Sequence, residues 1–185
     1  MSDEKEGLST NTPALPRVLP ENLSHLTIRS ATNDDCKRVA KLVFGVLAEF
    51  GLEADPKTTD VDLQDIEANY LQPGGLFEVI EDAQANLLGS FGLYPVNKTT
   101  CELRKMYFVP SVRGLGLGKY VLQRTIARAT ELGFKEIVLE TSSKLIAANR
   151  LYTQFGFKML QPAQLASRAD QAYKLDLRPT SWQGS

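Results

Sequence analysis

Hydrophobic positions change their period several times along the chain, and each change marks an element. Leu26-Thr27-Ile28-Arg29 alternates as a strand does, and Thr32-Asn33-Asp34-Asp35 then supplies side chains able to cap a helix. In that helix Val39, Leu42, Val43, Val46, Leu47 and Phe50 share a face, with Gly51 as the stop. A weaker helical pattern, Leu63, Ile66 and Tyr70, follows Asp60 and ends before Pro73-Gly74-Gly75. From Leu76 the period becomes that of strands: residues 77–80, a turn at 82–86 and residues 87–93 read as a hairpin, and 102–109 as a further strand stopped by Pro110. Val121, Leu122, Thr125, Ile126, Ala129 and Leu132 line one face of the next helix, closed by Gly133. Residues 136–141 form a short, buried-looking strand, and 144–155 a helix turning Ala148, Leu151, Tyr152 and Phe155 inward. Strands at 157–160 and 172–177 complete the order β-α-α-β-β-β-α-β-α-β-β.

This alternation fits one α/β (α+β) domain, expected over residues 25–178. A length of 185 residues suits one sizeable core rather than two. Residues 1–24, with Pro13, Pro16 and Pro20 among small and acidic side chains, bury too little apolar surface to offset ordering and are expected to be a disordered tail. Residues 179–185 are expected to fray. Charge nearly balances, 21 Lys+Arg against 22 Asp+Glu, so bulk electrostatics offers no hold on nucleic acid or an anionic membrane. Cys36 and Cys101 are the only cysteines and make no metal-ligand spacing, which argues for a reducing, cytoplasmic setting and no metal. The single histidine, His25, excludes histidine clusters. No apolar run approaches the roughly 20 residues of a membrane helix, and the acidic start has no signal-peptide core.

The stretch Val109-Pro110-Ser111-Val112-Arg113-Gly114-Leu115-Gly116-Leu117-Gly118-Lys119 lies between a strand and an amphipathic helix. A glycine-rich turn there exposes main-chain N–H groups where the helix dipole also favours an anion, phosphate above all. A Walker loop fails because Arg113 stands where its first glycine belongs and Tyr120 where its hydroxyl belongs. A dinucleotide fingerprint starting at Gly114 fails because Lys119 replaces its last glycine. Six basic residues between 103 and 128 (Arg104, Lys105, Arg113, Lys119, Arg124 and Arg128), without an acid, favour a multiply charged ligand, although Arg124 and Arg128 also suit a solvated helix face.

Arg113-x-x-Gly116-x-Gly118 resembles the pyrophosphate-binding motif of the GNAT (GCN-related N-acetyltransferase) superfamily. Residues 148–157 resemble its second signature, N-x-x-L-Y-x-x-x-G-F, with the asparagine read as Asn149. The resemblance covers about residues 28–177 and implies a single domain with a mixed, mostly antiparallel central sheet flanked by helices. It implies acetyl-CoA as co-substrate, held by Arg113, Gly114, Leu115, Gly116, Leu117, Gly118 and Lys119 at the diphosphate, by Met106, Tyr107 and Phe108 through the strand backbone, and by Asn149 at the pantetheine arm. Tyr152 would then lie beside the thioester sulfur; its bland alternative is a core aromatic. The implied activity is direct acetyl transfer to a primary amine, on a small molecule or a peptide or protein, in a ternary complex. A non-catalytic acyl-CoA-binding module is the alternative, and the assembly expected is a monomer or homodimer.

An alkyl amine with pKa near 10.4 is almost wholly protonated at pH 7, so a base is required. Glu102 is the candidate, at the offset where some protein-acetylating relatives carry a glutamate base; a strand-edge pairing with Arg104 or Lys105 is its alternative. Alternation places Glu102, Arg104, Met106 and Phe108 on one face. Nine acidic residues between 49 and 81 (Glu49, Glu53, Asp55, Asp60, Asp62, Asp65, Glu67, Glu78 and Glu81) against Lys57 alone lean the acceptor toward a cationic amine.

Overall fold

The computed structural model describes residues 19–161 and 165–177. Seven strands, β1 (Thr27–Ser30), β2 (Leu76–Glu81), β3 (Leu87–Pro95), β4 (Thr100–Phe108), β5 (Glu136–Thr141), β6 (Lys158–Leu160) and β7 (Gln171–Asp176), form one sheet in the order β1-β2-β3-β4-β5-β7-β6. Every neighbouring pair is antiparallel except β4–β5, which runs parallel. Helices α1 (Cys36–Glu49), α2 (Leu117–Glu131) and α3 (Ile146–Gln154) cover the sheet. β2 is buried along its whole length, and alternation sends Leu76 and Ile80 to one core and Phe77 and Val79 to the other. The first core packs α2 and Tyr152 of α3; the second packs the apolar stripe of α1, Val39, Leu42, Val43, Val46 and Leu47. Among the described residues, no helix is long and apolar enough to cross a membrane.

Three expectations need correction. The second helix is replaced by a 3₁₀ turn, Val61–Gln64, and a π-helical turn, Glu67–Leu71. Asp65 breaks them apart: its carboxylate accepts the Ala68 N–H at 2.9 Å and the Asn33 amide at 2.9 Å, so it starts a new turn instead of continuing the old one. Order also begins before residue 25, in a 3₁₀ turn at Glu21–Leu23 with Leu23 fully buried and Asn22 donating to the Leu115 carbonyl at 3.1 Å. Phe50 lies past the last turn of α1 and is 36% exposed rather than joining its buried face. Residues 1–18 of the tail expected over 1–24, and the end expected to fray over 179–185, lie outside the described residues.

Candidate active site

The site grows out of a break in strand pairing. β4 and β5 are in register only from Thr100 and Glu136 to Glu102 and Val138; from Leu103 onward the β5-facing edge of β4 has no strand partner. On its other edge β4 bulges: Ser90 pairs with Tyr107 and Gly92 with Arg104, leaving Lys105 and Met106 together opposite Phe91. Lys105 adopts φ 56°, a left-handed conformation uncommon for a side-chain-bearing residue, and its carbonyl accepts the Ser90 hydroxyl at 2.8 Å. The bulge overturns the expected alternation. Met106 and Phe108 pack with Leu103 in the α2 core, Tyr107 with α1, and neither Met106 nor Phe108 shares the face of Glu102 and Arg104. The parted strands border a cavity of about 600 Å³, lined by Glu102–Phe108 on one side and Glu140–Ser142, Ala148, Leu151 and Tyr152 on the other.

At one end of this cavity stands the glycine turn. Gly114 (φ 74°) and Gly116 (φ 89°) occupy left-handed backbone that other residues resist, and Gly116 caps α2 with no side-chain acceptor. Among the described residues, none of the main-chain N–H groups from Gly114 to Lys119 finds an acceptor, whereas the Tyr120 N–H closes the first helical turn on Gly116. Leu115 and Leu117 offer only main chain here, the one side chain being exposed and the other buried in the core. Arg113 is braced by the Phe108 carbonyl (Nε, 2.7 Å) and Glu49 (Nη1, 2.8 Å), while its Nη2 is buried without a partner. The basic stretch is less of a field than its composition suggests. Arg104 pairs with Glu102, Lys105 with Asp60, Arg113 with Glu49, Arg128 with Glu131, and Arg124 with Glu78 rather than with solvent. Lys119 alone of the six is exposed and unpaired among the described residues.

The α3 residues separate. Tyr152 borders the cavity, packed by Phe157 and Tyr173 at ring separations of 5.7 and 6.1 Å, with no hydrogen-bond partner for its hydroxyl among the described residues. Burial, with Tyr107 nearby, pushes the phenol above its ordinary range. Asn149, placed in the same groove by the three-residue spacing, instead lies outside the cavity lining. Its amide donates to the Ser142 carbonyl at 3.0 Å and accepts the Thr141 hydroxyl at 3.2 Å, so its polar atoms hold the β5–α3 connection. Ala148, the residue that the N-x-x-L-Y spacing singles out, takes the cavity position. Glu102 also borders the cavity and accepts a hydrogen bond from Arg104 at 2.5 Å, so candidate base and strand-edge pair are the same group.

A profile described as the acetyltransferase (GNAT) family matches residues 44–157. The chain belongs to that family. It is 36% identical over 141 residues to an uncharacterised N-acetyltransferase, YjgM, of Escherichia coli (strain K12), covering 74% of this chain and 84% of that protein. A GNAT-family acetyltransferase structure from Staphylococcus aureus Mu50 superposes with a TM-score of 0.76 at 25% identity, covering 83% and 99% of the two chains. The Salmonella typhimurium protein yncA, solved with its cofactor acetyl-CoA, shares the fold at a TM-score of 0.66 and 22% identity, with coverage of 85% and 96%.

What sequence reading missed in this GNAT chain is a buried charge cluster behind the β4 bulge. Asp60, fully enclosed, accepts from Arg168 through Nη1 (2.7 Å) and Nη2 (2.6 Å), from Lys105 Nζ (2.6 Å) and from the Asp55 N–H (2.8 Å). Burial alone would raise its pKa, but these donors outweigh it and hold the carboxyl at about 2. Lys105 also donates to the Thr59 carbonyl at 3.0 Å, and its Nζ lies 3.1 Å from Asp62 Oδ1, an ion pair without hydrogen-bond alignment. Asp62 accepts the Tyr70 hydroxyl, whose own ionisation burial and Asp62 make unfavourable. No motif marks Arg168; it is distant in sequence from every partner, and only the fold brings it there. None of the nine acids behind the expected cationic lean lines the cavity. Glu49, Glu78 and Glu81 are salt-bridged to arginines, Asp55, Asp65 and Glu67 accept from nearby backbone or Asn33, and Asp60 and Asp62 are buried. Among the described residues, only Glu53 of the nine is left without a partner.

Proposed function

We propose that this GNAT protein is an acetyl-CoA-dependent N-acetyltransferase that transfers acetyl to a primary amine while both substrates are bound. The observation carrying this reading is the run of six consecutive unpartnered amides, Gly114 to Lys119, beside the buried, unpartnered Nη2 of Arg113, at the mouth of the β4–β5 gap. Such a run suits a diphosphate, whose oxygens need several donors at once. Lys119 adds an exposed cation to the same turn.

Bound acetyl-CoA supplies the acyl group as a thioester, and the chain's own groups do the rest. The unpaired edge of β4 around Met106 to Phe108 presents main-chain groups that align the pantetheine arm and polarise the acyl carbonyl. The parted strands and the apolar walls Leu151, Ala148 and Leu145 exclude bulk water. Glu102, alone or through a water, accepts the proton of the attacking amine, with Arg104 holding its carboxylate in place. Tyr152 offers its free hydroxyl to the departing sulfur as a hydrogen-bond donor. Its raised pKa makes full proton transfer to a thiolate uphill, so stabilisation rather than protonation is its part. Calorimetry with acetyl-CoA, followed by a thiol-release assay over a panel of amines, tests the reading. Binding with amine-dependent thiol release is expected; binding without release for any amine leaves a non-catalytic acyl-CoA module instead.

A further inference from the structure

Away from the glycine turn, the cavity wall is sorted by charge and depth. Arg104, Glu102 and Arg168 border the cavity with side chains 30, 17 and 14% exposed, whereas Asp60 and Asp62 lie behind them at 0 and 5%. The group of Asp60, Asp62, Glu102, Arg104, Lys105 and Arg168 is neutral as a whole. The part of this group that a ligand can touch is not: it offers two guanidinium groups and one carboxylate, which is already hydrogen-bonded to Arg104, while the cavity's other carboxylate, Glu140, accepts the Ala166 N–H.

Arg168 is built as a fixed seat. Asp60 grips both terminal nitrogens, and Asp60 in turn is saturated by Lys105 and the Asp55 N–H, so it has no capacity left for a ligand. The Tyr107 hydroxyl contacts the same guanidinium, and its remaining N–H groups have no acceptor among the described residues. A planar guanidinium held by a buried counter-charge, with donors turned to a cavity, is preorganised for a carboxylate. A polyamine entering here would set its second ammonium against Arg104 and Arg168, leaving Glu140, whose carboxylate accepts the Ala166 N–H at 2.9 Å, as the one acid of the cavity wall without a basic partner among the described residues.

We propose that the acceptor of this acetyltransferase is an amine that also carries a carboxylate, such as a free amino acid, with the carboxylate on Arg168 and Arg104 and the amine toward Glu102. The proposal rests on the acetyltransferase reading above and narrows it to a substrate class.

Acetyl transfer to glycine, methionine and phenylalanine, each compared with its α-carboxamide, and to spermidine as a carboxylate-free amine, tests it. The acids are expected to exceed their amides in kcat/KM by about 10- to 100-fold, the discrimination a charge-assisted pair to arginine supplies, although the amide's amine is the weaker base and more of it is neutral at pH 7. In Arg168→Lys, which keeps a cation beside Asp60 but not the fork, that ratio is expected to fall to within about threefold, through KM for the acid. Equal use of acids and amides, a preference for spermidine, or an equal loss on acid and amide in Arg168→Lys would overturn the proposal. Calorimetric titration of the same amino acids into protein saturated with coenzyme A reads the seat without turnover. Should no amine be acetylated, binding that Arg168→Lys abolishes upholds the seat while the enzymatic reading falls; no binding to the wild-type protein removes the seat as well.

Discussion

Tyr152 sits where two demands meet: its ring belongs to the α2 core while its hydroxyl reaches the cavity without a partner. With no hydrogen bond among the described residues to lose, removal of the hydroxyl is expected to leave folding intact while slowing the reaction. Tyr152→Phe should lower kcat about 10- to 100-fold with little change in KM for acetyl-CoA, measured by steady-state thiol release, and an unchanged kcat would take the tyrosine out of the chemistry. Glu102 is tested in the same way. Glu102→Gln keeps the contact geometry to Arg104 but cannot accept a proton, so kcat should drop by about 100-fold with little change in KM for acetyl-CoA, measured by steady-state thiol release; an unchanged kcat would identify the role as structural. Each of the two residues stands at a family-specific offset in the sequence, and the structure places both on the cavity lining. Asn149 departs from its expected groove for a matching reason: it stands three positions before Tyr152 where the pattern has four, and that single step turns it from the cavity to the β5–α3 connection.

Elements with strong periodicity or glycine punctuation could be read directly from the chain. The stripe from Val39 to Leu47, the face from Val121 to Ala129, the 82–86 hairpin turn and the strand–turn–helix at Pro110 to Lys119 all coincide with what the structure contains. The bulge in β4 was invisible because Lys105 is not a residue type that announces left-handed backbone. Its conformation is held by distant partners, Asp60 and Thr59, that no local pattern names. The helix expected at 63–70 failed for the opposite reason: its apolar spacing was genuine, but Asp65 capped a fresh turn within it. At the glycine turn the consequence is testable. A Cβ on Gly116 would meet nothing within 4 Å, so Gly116→Ala perturbs the backbone at φ 89° rather than packing. That strain, about 1 kcal/mol, should redirect the amides and raise KM or Kd for acetyl-CoA several-fold without affecting acceptor KM. Equal tightness in the variant, read by calorimetry, would mean that the amides from 114 to 119 do not hold the cofactor.

At the scale of the whole molecule, charge is spent on joining segments rather than on decorating the surface. Arg168 before β7, Lys105 in β4 and Asp60 ahead of the 3₁₀ turn are 45 or more residues apart, and their meeting fixes the wall of the cavity. Composition could not show this, since a count of acids between residues 49 and 81 is the same whether they face solvent or one another. The arrangement gives stability a defined response to acid. Asp60 has its pKa lowered from 3.8 to about 2 in the folded protein, so the folded state binds its proton less readily than the unfolded chain. Its contribution, about 2 kcal/mol, is therefore fully present above about pH 4 and is lost as pH falls toward 2. Asp60→Asn should remove that part of the acid slope. It also strands Lys105 and Arg168 without a counter-charge, and stability at pH 7 should fall by about 3 kcal/mol. Urea unfolding followed between pH 2 and 7 in both proteins separates the two effects. Parallel curves displaced by a constant amount would mean that Asp60 is not the titrating link, and the acid response would then pass to the Arg29–Asp35–Glu81 cluster, whose carboxyls are likewise held below their ordinary range.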